Sequence, residues 1–272
     1  MREPRIIGTK RIDMAAVKLN TYLINLDRAK SRLENMQQKL AAINLPIERI
    51  AAVDGALLTF PHEGFSENSY RYLHMRKRTP PEIGCYFSHI QCARLLLESE
   101  ASHALILEDD VSFNPEFRQV LDLALADDSW DILRLSTVSS GRKLPYRKLG
   151  AEHKLAIALT REKGAGAYVI NRRAAVWLTK AMMPMRVAYD IAFDVEYLYD
   201  LRASFISPPV ASQISDADSQ IQNNLQEYRV SKWHYFTAFP FRFYLEFWRP
   251  VLRGFRLLKL RLKSALHPSL QS

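Results

Sequence analysis

Only two cysteines, Cys85 and Cys92, occur in 272 residues. The surrounding pattern puts both on one helix, where seven residues correspond to about 10 Å along the axis. That is too far for a disulfide, and the spacing matches no zinc-binding pattern. A reducing compartment is expected, and both cysteines read as small core residues. No apolar stretch approaches the ~18 residues of a membrane span. The first 18 residues hold no apolar h-region, so no secretory signal is expected. Met14 is available as a start, with residues 1–17 forming a flexible tail. Internal repeats and low-complexity segments are also missing.

Net positive charge is scarce outside one segment. The net charge is +9. Between Lys232 and Lys263 eight basic residues stand against Glu246 alone, so that segment carries +7 and the rest of the chain +2. A nearly neutral body excludes a broad nucleic-acid surface and points to a basic C-terminal appendage. The length suffices for one large α/β domain with a full core.

Val17 to Leu26 reads as a first strand, with Asp27 as N-cap of the following helix. In that helix Leu33, Met36, Leu40 and Ile43 form one apolar face. Glu48 to Val53 is a second strand, closed by Asp54-Gly55. Strand, helix, strand at this spacing predicts a parallel sheet. Residues 56–79 show no period and read as a long surface loop. Thr79-Pro80-Pro81-Glu82 has the form of a capping box with proline in the first turn, opening a helix to about Glu98. Asn114-Pro115-Glu116 caps another helix, and Trp130 to Leu135 is a further strand. Residues 136–163 suggest short strands and basic turns. Gly164-Ala165-Gly166-Ala167 leads into the strand Tyr168-Val169-Ile170, and small residues there let another group come close. Asn171 then caps a helix to Met183, and Ser204 to Val210 is a last strand.

The stretch that carries chemistry is Ala104 to Phe113. Ala104-Leu105-Ile106-Leu107 is a strand buried on both faces, and it ends in Glu108-Asp109-Asp110. Three adjacent carboxylates repel one another and are costly to bury unpaired. Such an ending delivers oxygen ligands to a hard divalent cation at the carboxyl edge of a sheet, or forms a solvated acidic turn.

Five motifs occur in order: Tyr22-Leu23-Ile24-Asn25-Leu26-Asp27-Arg28, Ala52-Val53-Asp54-Gly55, Glu82-Ile83-Gly84-Cys85 with Ser88-His89, Leu107-Glu108-Asp109-Asp110, and Gly166-Ala167-Tyr168-Val169-Ile170. Together they make residues 18–215 resemble glycosyltransferase family 25, the lipooligosaccharide and lipopolysaccharide core glycosyltransferases, whose activities are mainly galactosyl transfer. The resemblance implies a GT-A type, Rossmann-like mixed sheet, mainly parallel, flanked by helices, over residues 18–225. It also implies a UDP-sugar donor and Mn2+ (or Mg2+) on the acidic motif. Here that motif is Glu-Asp-Asp rather than Asp-X-Asp.

In such a reaction a cation neutralises the diphosphate leaving group, and an inverting enzyme needs a base for the acceptor hydroxyl. Asp110 is expected as the main metal ligand, with Glu108 and Asp109 contacting the metal through water, or the donor ribose. Asp190 is the first candidate base and Asp194, one turn on, the second. Asn25, Asp27, Arg28 and Asp54 sit at strand ends, where α/β folds bind nucleotides. Arg32 and Arg28 are candidates for the diphosphate or are simple surface charges. His89 reads either as a satisfied structural histidine or as part of this edge. Gln213 and Ser215 are candidates to close on the donor phosphates.

Residues 226–272 read as a basic aromatic helical segment. Arg242, Glu246, Arg249, Arg253, Arg256 and Lys263 form a stripe opposite Phe, Trp and Leu. That pattern fits a helix lying on an anionic membrane through residues 232–263, or a terminal helix packed on its own core. On the membrane reading the protein is cytoplasmic, peripheral on the inner face of the cytoplasmic membrane, with a lipooligosaccharide or lipopolysaccharide core as acceptor. Deletion of residues 232–272 is then expected to spare donor binding. Two rivals stand beside this reading. A nucleotidyltransferase needs a glycine-rich phosphate loop, and residues 20–30 contain no glycine. A non-catalytic, membrane-bound sugar-binding module would not need the acids.

Overall fold

A computed structural model describes residues 17–139, 141–213, 228 and 230–266. Eight strands form one sheet in the order β2-β1-β3-β8-β5-β9-β7-β6. On one side, β1 (Leu19–Asn25) runs parallel to β2 (Glu48–Ala51) and to β3 (His103–Glu108). The helix α1 (Lys30–Ala42) makes the crossover between β1 and β2, so the βαβ expectation holds. Beyond β3 the direction changes. Strand β8 (Ala167–Asn171) lies antiparallel between β3 and β5 (Ile132–Arg134). Strand β5 is parallel to β9 (Ala203–Ser207). A hairpin of β6 (Lys143–Leu149) and β7 (His153–Ala158) completes the sheet. A separate two-stranded ribbon pairs β4 (Val111–Phe113) with β10 (Ala211–Gln213). The architecture is the expected mixed α/β sheet flanked by helices.

Helices cover both faces, and each face has its own apolar core. One core gathers Tyr22, Ile83, Ile90, Ile106 and Tyr168 beneath α3 (Pro80–Glu98) and α5 (Arg172–Lys180). The other gathers Leu23, Met36, Leu105, Phe117 and Leu133 beneath α1 and α4 (Phe117–Leu125). Alternate residues of β1 and β3 feed opposite cores, the period-2 pattern of a strand buried on both faces.

Asn171 caps α5 as expected, its side chain accepting from the Ala174 amide at 3.0 Å. Asp27 does not cap α1, which starts at Lys30 after Ala29; Asp27 is exposed and pairs with Arg49. The Thr79 box is not made either. Thr79 donates to the Lys77 carbonyl, and Glu82 turns away to Tyr70, His74 and Arg76. Those three carry the 56–79 region, where a short α2 (Glu67–Ser69) and a wide turn over Tyr70–His74 replace the expected irregular loop. A buried glutamate with three strong partners gains more from them than from an exposed helix-start amide.

The C-terminal helix α7 (Tyr235–Leu266) departs most from expectation. It lies on the β6–β7 side of the sheet and places Leu257 in one core and Phe241 against the other. Arg249, Arg253 and Arg256 of its stripe face inward, Arg242, Glu246 and Lys263 stay exposed, and its aromatic side faces out. The segment is packed by its polar side, not held as a detached appendage.

Candidate active site

The carboxyl ends of β1 and β3 lie side by side, Ile24 opposite Glu108 in the ladder. Asn25 ends β1 and is 2% exposed. Its amide donates to Asp109 at 2.7 Å and to the Ala29 carbonyl at 3.0 Å, while its oxygen accepts from Arg49 at 3.2 Å. Asn25 is therefore spent on bracing the acidic turn and is not free to read a base or ribose. Arg32 meets the other oxygen of Asp109 at 3.0 Å. Burial raises the Asp109 carboxyl above its ordinary value, against the pull of Asn25 and Arg32. On the outer rim Arg28 pairs with Asp54, whose carboxyl the Ala56 amide, then Arg28, holds below the usual range.

Asp110 is placed differently. Its Oδ1 is buried and has no hydrogen-bond partner among the described residues. Burial, then Glu108 and Asp109, push its carboxyl up to about 7. An unpartnered carboxylate oxygen inside a like-charged cluster is a place where a divalent cation is favoured.

Glu108 is held from two sides. Gln213, at the end of β10, donates to Oε2 at 2.6 Å. On α3, His89 Nε2 lies 3.1 Å from Oε1. A carboxylate can only accept, so Nε2 carries the proton. Nδ1 lies 2.9 Å from the Tyr168 hydroxyl, which in turn lies 2.8 Å from that of Tyr189, so the three groups form one hydrogen-bonded chain. His89 also stacks on the Tyr189 ring, with centroids 4.1 Å apart. Gly166 makes the Gln213 contact possible: a Cβ there would lie 2.6 Å from Gln213 Cγ. The small residues before β8 do give room for a close approach, but a side chain of this chain takes it, not the backbone or ligand that was expected there.

Cys85 faces the site as well. Its Sγ lies 4.0 Å from Glu108 Oε1. Cys85, His89 and Glu108 bring one potential ligand atom each within 4.8 Å of one another. Burial, then Glu108 and Asp190, push the thiol well above its ordinary pKa. Asp190 is half-buried in the first turn of α6 (Tyr189–Phe193). It directly follows Tyr189, whose ring stacks on His89, the partner of Glu108.

Asp194 is elsewhere in chemical terms. It is 0% exposed and bound by Arg253 at 2.9 Å and Arg249 at 3.1 Å, both from α7, with Arg134 at 3.8 Å. Glu196 takes the other side of Arg253 at 2.7 Å. A fully buried carboxylate with its oxygens turned to these guanidiniums is out of reach of an acceptor hydroxyl, so the expectation of Asp194 as second candidate base is not met geometrically. Ser215 lies outside the described residues.

The structure therefore joins Glu108, Asp109, Asp110, Gln213 and Asn25 in one site, sets Asp190 beside it, and leaves Asp27, Arg28 and Asp54 on the rim. Cys85, Tyr168 and Tyr189 were not foreseen. Cys85 had a readable signal, since it precedes His89 by four residues and shares its helix face. The tyrosines had none, because strand and helix positions 21 residues apart meet only in the fold.

The model of glycosyltransferase family 25 (LPS biosynthesis protein) matches residues 18–193. The chain belongs to glycosyltransferase family 25. Its members include a glycosyltransferase 25 family member of Drosophila pseudoobscura pseudoobscura, 33% identical over 123 residues, 41% of this chain and 19% of that one. Procollagen galactosyltransferase 2 of Mus musculus is 30% identical over 122 residues, 41% of this chain and 20% of that one. The chain thus spans about a fifth of these relatives' length. A Haemophilus influenzae relative is 22% identical over 77% of this chain and 76% of its own. Among solved structures, a glycosyltransferase involved in glycosylation of the major capsid of PBCV-1 covers 74% of this chain and 96% of its own at 9% identity, with a TM-score of 0.42. The family assignment rests on the match over residues 18–193, which takes in every residue of the site except Gln213.

The residues present fit a divalent cation. Asp110 and Glu108 offer hard oxygen ligands, and the unpartnered Asp110 Oδ1 is a donor atom awaiting one. His89 and Cys85 stand behind Glu108, the first tied to Tyr168 and the second held as a neutral thiol.

Proposed function

We propose that this family 25 chain is a metal-dependent hexosyltransferase that moves galactose from UDP-galactose, with inversion, onto a core sugar of lipooligosaccharide or lipopolysaccharide. The observation that carries the proposal is the buried, unpartnered Asp110 oxygen beside a Glu108 fixed by Gln213 and His89. Asp110 and Glu108 would hold Mn2+ or Mg2+, whose charge offsets that developing on the UDP leaving group. Arg28 and Arg32 line the same rim and suit the diphosphate. Asp190 is the acceptor-side base, since it borders the site and escapes the arginine clamp that immobilises Asp194. Galactose as the hexose follows the names of the procollagen galactosyltransferase relatives. The core acceptor follows the family description. A cytoplasmic enzyme on the inner face of the cytoplasmic membrane would meet both substrates.

The test is transfer from UDP-galactose to a truncated core oligosaccharide with Mn2+, the anomer of the product read by NMR. Wild type should give the inverted linkage. Asp190→Asn should lower kcat by about 100-fold or more with little change in donor KM. An Asp190→Asn enzyme with wild-type kcat and pH profile would remove Asp190 from the role.

A further inference from the structure

Helix α7 places its two faces in an unusual order. Arginines normally keep their charge in water, yet Arg249 and Arg253 are 2% and 3% exposed. Arg256 donates to the Ala203 carbonyl at 2.6 Å and the Ser129 carbonyl at 3.1 Å. The outward face instead carries Phe236, Phe239, Phe243, Phe247, Leu258 and Leu262, all more than half exposed. Steps of three and four residues, and one of eleven from Phe247 to Leu258, put them on one side of the helix, which is 32 residues long, about 48 Å. The ridge is partly preformed: Phe239, Phe243 and Phe247 stack in series, with centroids 6.4 and 6.3 Å apart. A contiguous apolar patch of this extent marks an interaction surface.

The chemistry of its edges selects the partner. Arg242, Lys259, Arg261 and Lys263 are exposed around the ridge. Glu246 is the sole acid in the helix sequence, and it is paired to Arg249. A second copy of this chain would bring like charges together along the seam, whereas anionic headgroups complement them. Trp233, 77% exposed, and Trp248 add the amphipathic rings favoured at a membrane–water boundary. No helix among the described residues is long and apolar enough to cross a membrane, so the geometry is that of a helix lying flat.

We propose that the outward aromatic ridge of α7 is a docking surface for an anionic lipid bilayer, its rings sunk among the headgroups and its exposed lysines and arginines at the rim. The arginines expected to meet the membrane, Arg249, Arg253 and Arg256, are consumed inside the protein. Arg249 and Arg253 hold Asp194, and Arg253 also holds Glu196, two acids that continue directly from the segment bearing Asp190. Docking therefore seats that segment about one helix diameter, ~10 Å, from the lipid. This last consequence rests on the proposed lipid-linked acceptor. The docking itself does not, and it is measured without donor or metal.

The experiment uses the full-length chain and vesicles of phosphatidylcholine with and without phosphatidylglycerol. Trp130 and Trp177 are buried, so a change in tryptophan emission reports Trp233 and Trp248. Wild type should sediment with the anionic vesicles and shift its emission to the blue. Phe239→Ser/Phe243→Ser should lower the partition at least about tenfold with an unchanged melting temperature. Lys259→Gln/Lys263→Gln should lower it several-fold on anionic vesicles only. Leu258→Ser/Leu262→Ser, farther along the ridge, repeats the test should the first pair fail to fold. Wild-type partition in folded ridge variants would overturn the proposal. So would a wild type that ignores both vesicles and forms a dimer that the phenylalanine substitutions dissolve.

Discussion

Gln213 donates to Glu108 at 2.6 Å across the gap between the two-stranded ribbon and the main sheet. The contact exists because position 166 has no side chain; a Cβ there would meet Gln213 Cγ at 2.6 Å and its Cδ at 2.7 Å. Gly166→Ala must displace Gln213 or shift β8. It should cost about 1–3 kcal/mol of stability and weaken metal-dependent UDP binding. Gly166→Ala/Gln213→Ala removes the clash, so it should regain stability without regaining binding. Denaturant unfolding and UDP titration on the three variants check this. A double variant as unstable as Gly166→Ala alone would place the strain elsewhere.

Asp110 gives a prediction of sign. Its carboxyl is raised to about 7 in the folded chain. A raised acid contributes stability that is present below its unfolded value and lost as pH rises through about 7. In EDTA at pH 8 the folded protein therefore carries a charge it would rather shed. Asp110→Asn should melt higher than wild type there, and the gap should shrink towards pH 5. Mn2+ should raise the melting temperature of wild type and leave the variant unmoved. A variant that melts lower at pH 8 would show that Asp110 is paired by the protein.

The clamp on Asp194 predicts the fate of a truncated chain. Burial opposes the charge of Arg253, but Asp194 and Glu196 hold its pKa above the ordinary arginine value. Removing one partner of a buried ion cluster leaves the others unpaired, at about 3–5 kcal/mol. Arg253→Met should therefore destabilise by that order in denaturant titration. Deletion of residues 232–272 should leave a chain that does not fold cooperatively, and donor binding should go with it. A soluble truncated chain that still bound UDP would contradict this.

Asp131 sets an acid limit. Despite burial, its carboxyl is held below the usual range by Arg202 and Asn171, with Arg202 contacts at 2.9 Å to both oxygens. A lowered acid contributes stability present above its unfolded value, near 4, and lost as pH falls through its folded value. Asp131→Ala should lower stability at neutral pH by about 2–4 kcal/mol and flatten the loss of stability on acidification. Melting curves from pH 3 to 7 measure both effects.

The βαβ start, the buried β3 strand and its acidic ending were legible because burial on both faces and terminal charge are local patterns. The ordered motifs carried the family. The roles of Asn25 and Asp194 were not legible. Each was read as a free polar group near a strand or helix end, and its partners, Asp109 for one and Arg249 and Arg253 for the other, lie 55 or more residues away. The periodicity of α7 set Arg249, Arg253 and Arg256 apart from the aromatic residues, but it put the exposed Arg242, Glu246 and Lys263 in the same stripe. It could not say which faced inward, because that depends on two carboxylates buried beneath the helix.

The most direct measurement is a calorimetric titration of UDP into the full-length protein, with Mn2+ and then with EDTA, repeated on Asp110→Asn. Binding that requires Mn2+ and is lost in the variant is the predicted result, and it would fix the donor site on the acidic turn. Equal binding of UDP in EDTA, or by Asp110→Asn with Mn2+, would contradict the metal role assigned to Asp110.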